Sequence, residues 1–163
     1  MDCVMGIDVG TSGVKVLIVS GDGSVVASSG AEYPLLSPRP GWAEQDPNVW
    51  WEATVQAIRE CIAAAGKASA VGKVDVLAVG LTGQMHGSVF LDSRGDVLRN
   101  AILWCDGRTE KQCEEIADTV GGSRLIDLTL NRALPGFTAP KIVWLRENDP
   151  ETYAATRKVL LPK

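Results

Sequence analysis

Val4-Met5-Gly6-Ile7-Asp8-Val9-Gly10-Thr11-Ser12-Gly13-Val14-Lys15-Val16-Leu17-Ile18-Val19-Ser20 is the stretch that decides how the chain folds. Two apolar, β-branched runs, Val4 to Val9 and Val14 to Ser20, flank Gly10-Thr11-Ser12-Gly13. Glycines with small hydroxylic residues between two such runs are the composition of a tight turn joining strands. A third run, Ser24 to Glu32, follows the turn residues Gly21-Asp22-Gly23, so the spacing predicts a three-stranded antiparallel meander.

Beyond the meander the chain is extended through Pro34, Pro38 and Pro40. Asp46 followed by Pro47 then combines a helix-capping residue with the ring that suits a first helical position. Trp51, Thr54/Val55, Ile58, Cys61/Ile62 and Ala65 recur at helical spacing, which predicts a helix from Pro47 to Ala65. Lys73 to Leu81 reads as a strand whose second half is apolar on both faces, the pattern of a covered parallel strand. Short strands are expected at Ser88 to Leu91 and Ala101 to Trp104, with a turn at Asp92 to Asp96. Helices are expected at Thr109 to Val120 and Pro140 to Glu147, and Val159-Leu160-Leu161 reads as the start of a strand. The stretch from Leu125 to Thr138 fits neither period. Three antiparallel strands, a crossover helix and a strand parallel to the first describe an α/β protein. Its mixed sheet begins with the meander and carries helices on both faces, an order used by ribonuclease-H-like and actin-like folds. Such sheets bind ligands beyond the carboxyl ends of their parallel strands, which directs attention to the residues after Val9 and after Leu81.

Composition narrows the function. The 163 residues hold 16 Lys and Arg against 20 Asp and Glu, a net charge of −4, with 45% hydrophobic and 22% charged residues. That describes one soluble globular domain, able to bury roughly 70% of the surface its unfolded chain exposes. The longest uncharged run, Val76 to Leu91, is interrupted by Gly80, Gly83, Gln84, His86 and Gly87 and is too short for a membrane helix. The opening Met1-Asp2-Cys3-Val4 has no secretory pattern, so a cytoplasmic location is expected. Cys3, Cys61, Cys105 and Cys113 form no Cys-x-x-Cys pair and the single histidine, His86, has no cysteine near it in sequence, which argues against zinc and for reduced thiols. The acidic balance and the lack of a Lys/Arg cluster argue against nucleic acid. A small molecule is the favoured partner.

Three segments have the residue types for chemistry. Asp8-Val9-Gly10-Thr11-Ser12-Gly13-Val14-Lys15 places a carboxylate at a strand end beside a turn whose N–H groups and hydroxyls can surround phosphate oxygens, with Lys15 as a nearby positive charge. The carboxylate would hold Mg²⁺, through water. The same residues also make an ordinary hairpin tip. Gln84-Met85-His86 follows the fourth long strand, where an imidazole that both donates and accepts suits a sugar hydroxyl, or simply sits solvated in a loop. In Trp104-Cys105-Asp106-Gly107-Arg108 the indole can stack on a sugar ring, Asp106 can accept hydroxyl protons and Arg108 can pair with Asp106. The equally open reading is a buried tryptophan followed by a surface ion pair. The tryptophans of Gly41 to Trp51 read as packing.

These segments together resemble the amino-terminal part of the FGGY family of carbohydrate kinases, over essentially the whole chain. The resemblance rests on Gly6 to Val16, Glu44-Gln45-Asp46-Pro47 with Trp50-Trp51, Gly83-Gln84-Met85-His86-Gly87, Ala101 to Arg108, Pro135-Gly136-Phe137-Thr138-Ala139-Pro140-Lys141 and Val159 to Lys163. It implies an actin-like amino-terminal domain spanning residues 1–163, with a second, carboxy-terminal actin-like domain outside this chain. It also implies ATP-dependent phosphorylation of D-xylulose to D-xylulose 5-phosphate by a homodimeric full-length protein that uses ATP and Mg²⁺. Residue by residue, it makes Asp8 the carboxylate near Mg²⁺ and the transferring phosphate. Thr11, Ser12, Gly13 and Lys15 match positions that approach the nucleotide phosphates. Met85 and His86 match a pair that contacts the ketopentose, and Trp104 and Asp106 match positions bordering its pocket. Because the family's general-base aspartate and adenine pocket lie beyond the part resembled, the 163 residues alone are expected to be inactive. The alternatives are a non-catalytic sugar-binding module and a kinase for another ketose or polyol.

Overall fold

The computed structural model describes residues 1–68 and 73–163. In chain order the elements are β1 (Asp2–Val9), β2 (Gly13–Ser20), β3 (Val25–Glu32), β4 (Glu44–Gln45), α1 (Pro47–Ala68), β5 (Asp75–Gly83), β6 (Val89–Leu91), β7 (Ala101–Ile102), α2 (Glu110–Val120), α3 (Gly122–Thr129), α4 (Thr138–Asn148), α5 (Pro150–Ala155) and β8 (Lys158–Leu160). They divide between two compact units, each discontinuous in sequence. The first holds Met1–Pro34, Asn48–Gln84 and Lys163, and the second Leu35–Pro47 and Met85–Pro162. No helix among the described residues is long and apolar enough to cross a membrane.

The first unit is the meander, a helix and a parallel strand, as the residue pattern predicts. Its sheet runs β3-β2-β1-β5, with β1 antiparallel to β2 and parallel to β5. Alternation along β1 buries Cys3, Met5, Ile7 and Val9, and alternation along β2 buries Val14, Val16 and Ile18, so one face of the sheet is apolar. α1 lies against it: Ser29 Oγ donates to the Ala57 carbonyl at 2.6 Å, and Cys61 Sγ approaches the Val16 carbonyl at 3.7 Å. The buried stripe of α1 is Trp50, Ala53, Ala57, Cys61 and Ala65. This differs from the expected face, because Trp51 and Ile62 point outward at 72% and 44% exposure. Beyond Trp50 the stripe consists of small residues, Ala53, Ala57, Cys61 and Ala65. Burial of the Cys61 thiol raises its pKa above the usual value, in keeping with an inert apolar role.

β5 departs more from expectation. Its apolar residues do not make a covered strand: Leu77, Val79 and Leu81 are 68%, 59% and 59% exposed, and β5 is the edge strand of the sheet. The sheet face away from α1 carries the exposed Val4 and Leu17, and among the described residues α1 is the one helix of this unit.

A close approach anchors the β2 end of the meander. A Cβ added at Gly13 would stand 2.6 Å from the Ala31 carbonyl oxygen and 3.2 Å from Glu32 Cα, both of them backbone atoms of the paired β3 strand. Gly13→Ala must therefore push β2 from β3, and it is expected to lower stability by about 1–3 kcal/mol, the usual cost of overpacking. Urea denaturation of the chain measures this, and an unchanged midpoint would contradict the tight register.

The second unit is built of helices and two-stranded ribbons, β4 with β7 and β6 with β8. Its apolar centre is Phe90, Ile102, Trp144 and Leu145, with Trp42, Ile142 and Val159 packed on it. The ambiguous stretch after Leu125 contains the end of α3, which stops at Leu130 in the left-handed region with φ 57°. α5 has the same start signal as α1, since Asp149 precedes Pro150 and accepts a hydrogen bond from the Thr152 N–H at 3.2 Å.

Candidate functional site

The first candidate cluster belongs to the first unit and grows from the β1–β2 turn. Asp8 and Lys15 are register partners near the turn end of this ladder, and both side chains emerge on the face away from α1. They border an open hollow of about 520 Å³ together with Ser12, Gly13 and Glu32. The turn is closed by the Gly10 N–H donating to the Gly13 carbonyl at 3.0 Å. Two further donors meet the Gly10 carbonyl: the Tyr33 hydroxyl at 2.6 Å and the Gln84 side-chain amide at 3.4 Å. Tyr33 is buried at 6% exposure, and its pKa is pushed up to about 12 by that burial, then by the negative charge of Asp8. It thus stays a donor across the neutral range. Asp8, Ser12, Gly13 and Lys15 are brought to one hollow as the sequence predicts, with Thr11 half-buried in the turn between them. Tyr33 is an addition that hydrophobic periodicity alone does not reveal, since it lies past the end of β3.

Among the described residues no three His, Cys, Asp or Glu side chains converge as a metal cage. Asp8 is an exposed carboxylate that shares its hollow with one other, Glu32. That chemistry fits Mg²⁺ carried in with phosphate, since this ion keeps several waters and takes one or two carboxylates.

The second cluster belongs to the second unit. The Ser88–Ile102 bridge is antiparallel, with Ser88 N–H to Ile102 carbonyl at 2.9 Å and the reverse bond at 3.2 Å. His86 precedes this bridge by two residues and Trp104 follows it by two. His86 adopts φ 59°, in the left-handed region. Its ring lies 4.7 Å from that of Phe137, tilted by 42°. Met85 and Trp104 are 56% and 47% exposed, two large apolar side chains open to solvent.

Asp106 behaves differently from its neighbours. At 2% exposure it is closed off, and both carboxylate oxygens are taken. Oδ1 accepts from the Arg108 N–H and Nε, each at 2.9 Å, while Oδ2 accepts from Arg108 Nη2 at 2.7 Å and the Ala43 N–H at 2.6 Å. Both sides of the sequence alternative are thus reversed: the tryptophan is half open and the ion pair is buried. Asp106 shapes the turn under Trp104 and has no oxygen left over for a ligand hydroxyl.

Lys141 was not among the residues singled out for chemistry. It sits in the first turn of α4, fully buried, and its ammonium donates to the His86 carbonyl at 2.8 Å and to the Gly136 carbonyl at 2.7 Å. Burial lowers its pKa to about 8, with the Asp106 carboxylate acting in the opposite direction. The available signal was a lysine inside the otherwise apolar run Ala139-Pro140-Lys141-Ile142-Val143-Trp144-Leu145.

Residues 3–163 match the amino-terminal domain of the FGGY family of carbohydrate kinases. The chain belongs to that family. Over its whole length this FGGY domain is 43% identical to a xylulose kinase of Bacillus subtilis, and over 98% of its length 45% identical to a xylulose kinase of Escherichia coli. The crystal structure of a xyloylose kinase from Brucella ovis superposes with a TM-score of 0.89, at 41% identity over 99% of the chain. The FGGY domain spans about a third of these proteins: 32% and 31% of the two curated relatives and 32% of the crystallised chain. The actin-like fold class expected from the order of elements is thereby upheld.

Proposed function

We propose that the protein carrying this FGGY domain transfers the γ-phosphoryl group of ATP to the 5-hydroxyl of D-xylulose. The observation that carries this reading is the identity of 43% and 45%, along essentially the entire chain, with two relatives that are xylulose kinases. In the reaction the hydroxyl oxygen forms a bond to phosphorus, the bond to the ADP oxygen breaks, and the hydroxyl proton passes to a base that lies outside the segment resembled here. The domain contributes binding and charge. Asp8, through water, and the hollow beside it suit the metal-bound phosphates, and Lys15 adds a positive charge where negative charge accumulates. Mg²⁺, when bound, would supply further neutralisation of the phosphate oxygens. Thr11, Ser12 and the Gly13 backbone provide hydroxyl and N–H donors at the turn. In the second unit, Met85 and Trp104 offer apolar surface to the sugar ring while the His86 imidazole exchanges hydrogen bonds with its hydroxyls. Asp106 supports this pocket through the turn it holds.

His86→Ala in the full-length kinase tests the sugar assignment. Loss of a hydrogen bond to substrate should reduce kcat/KM for D-xylulose by about tenfold to a hundredfold, corresponding to ~1–3 kcal/mol, with the KM for ATP unchanged. A wild-type kcat/KM for D-xylulose would remove His86 from the pocket, and higher kcat/KM on another ketose or polyol would reassign the substrate.

A further inference from the structure

We infer that Lys141 is a positioning residue for the sugar pocket, its ammonium clamping the loop of His86 to the loop that backs Trp104. This rests on the reading of His86 and Trp104 as sugar-contacting residues. The clamp is visible in the second unit as a set of carbonyls sharing donors. The His86 carbonyl accepts from Lys141 Nζ at 2.8 Å and from Thr138 Oγ at 3.3 Å. The Gly136 carbonyl accepts from the same Nζ at 2.7 Å. Gly136 in turn is pressed against the pocket's other wall, since a Cβ there would stand 2.7 Å from the Trp104 carbonyl oxygen. One buried cation therefore fixes the spacing between the two sides from which His86 and Trp104 project.

The arrangement needs an active restraint because His86 is in the left-handed region, which a residue with a Cβ adopts only when its surroundings hold it there. The Phe137 ring supports the imidazole, but the backbone is held by Lys141 and Thr138. An ammonium bonded to carbonyls forms charge-assisted hydrogen bonds, stronger than neutral ones. The groups that face it are the Asp106 carboxylate, the Cys105 thiol and the Arg108 guanidinium, of which Asp106 favours its charged form and Arg108 opposes it. A lysine closed off from solvent that spends its donors on two loop carbonyls has no better use as packing than methionine would.

The test uses the full-length kinase with Lys141→Met, Lys141→Arg, His86→Ala and the double variant Lys141→Met/His86→Ala. Displacing pocket groups by a fraction of an ångström to an ångström costs on the order of tenfold to a hundredfold. Lys141→Met is expected to raise the KM for D-xylulose about tenfold or more with the KM for ATP within about twofold of wild type, and Lys141→Arg to recover part of the loss through its two-pronged donors. Because the two residues act on one pocket, the double variant should lose less than the product of the single losses. Equal changes in both KM values, or a full product of losses in the double variant, would overturn the clamp. Should Lys141→Met fail to fold, Thr138→Val removes the second donor to the same carbonyl. A selective rise in the KM for D-xylulose supports the clamp, and an unchanged value overturns it. If His86→Ala leaves D-xylulose use intact, the pocket reading itself fails. If it impairs use while both Lys141 variants behave as wild type, only the clamp fails.

Discussion

Asp8→Asn is expected to lower kcat of the full-length kinase by at least about a hundredfold while leaving the KM for D-xylulose within a fewfold of wild type. The substitution keeps the size and shape of the side chain and removes its charge alone. In the hairpin the Asp8 carboxylate stands on the open face of β1, opposite Lys15 in the register and at the edge of the open hollow. A carboxylate there would repel phosphate unless a cation stood between them, so in the proposed reaction it would act through a metal held as charge moves to the leaving oxygen. An amide can accept hydrogen bonds from water but cannot balance a divalent charge. The loss should therefore appear in turnover, since that is where the metal's charge is used. Steady-state kinetics with D-xylulose and ATP varied in turn decides it. Undiminished kcat would remove Asp8 from the mechanism, and a large rise in the KM for D-xylulose would place it with the sugar.

How far the chain could be read without coordinates depended on whether local residues or distant partners decided each feature. The meander was legible because its strands alternate and its turns are made of glycine, aspartate and serine, which fix the register over one or two residues. The Asp46-Pro47 start was legible for the same reason, and Asp149-Pro150 carried an identical signal that a six-residue helix is too short to back with periodicity. The buried face of α1 was not. Apolarity points to Trp51 and Ile62 along with Cys61 and Ala65; the sheet keeps the latter two and takes Ala53 and Ala57 with them, a choice set by the partner surface. β5 misled in a related way: its valines and leucines describe what the strand is suited to, not what covers it. At the site, Asp8, Ser12, Gly13 and Lys15 are neighbours through one hairpin and so declare themselves together. Lys141 reaches His86 across 55 positions of sequence, and no local pattern announces that distance.

Arg108→Ala is the change expected to unfold the second unit most readily. The Arg108 side chain is 1% exposed and meets two carboxylates: a two-pronged contact to Asp106, and Nη1 lying 2.8 Å from Glu44 Oε1 as an ion pair. It also lies against a pair of perpendicular indoles, with the guanidinium carbon 3.6 Å from the Trp42 ring centre and 4.9 Å from that of Trp144. Glu44 also takes Arg99, which reaches on to Asp149, the capping residue of α5. Truncation to alanine leaves the Asp106 carboxylate buried without the arginine that pairs with it, opens a void beside Trp42 and Trp144 and loosens β4 from this network. Breaking a buried pair from one side costs about 3–5 kcal/mol, because the surviving charge keeps its desolvation penalty and loses its compensation. Against a typical total of about 5–15 kcal/mol, that is a loss large enough to leave the variant partly unfolded at ordinary temperature. Arg108→Lys should fall between the two, since an ammonium restores charge but cannot fork onto Asp106 or stack on the Trp42 ring as a planar group does. Urea unfolding of the three proteins reads the order directly. A loss below about 1 kcal/mol for Arg108→Ala would mean the pair behaves as an exposed one does, and would return Asp106 to the set of groups free to meet a ligand.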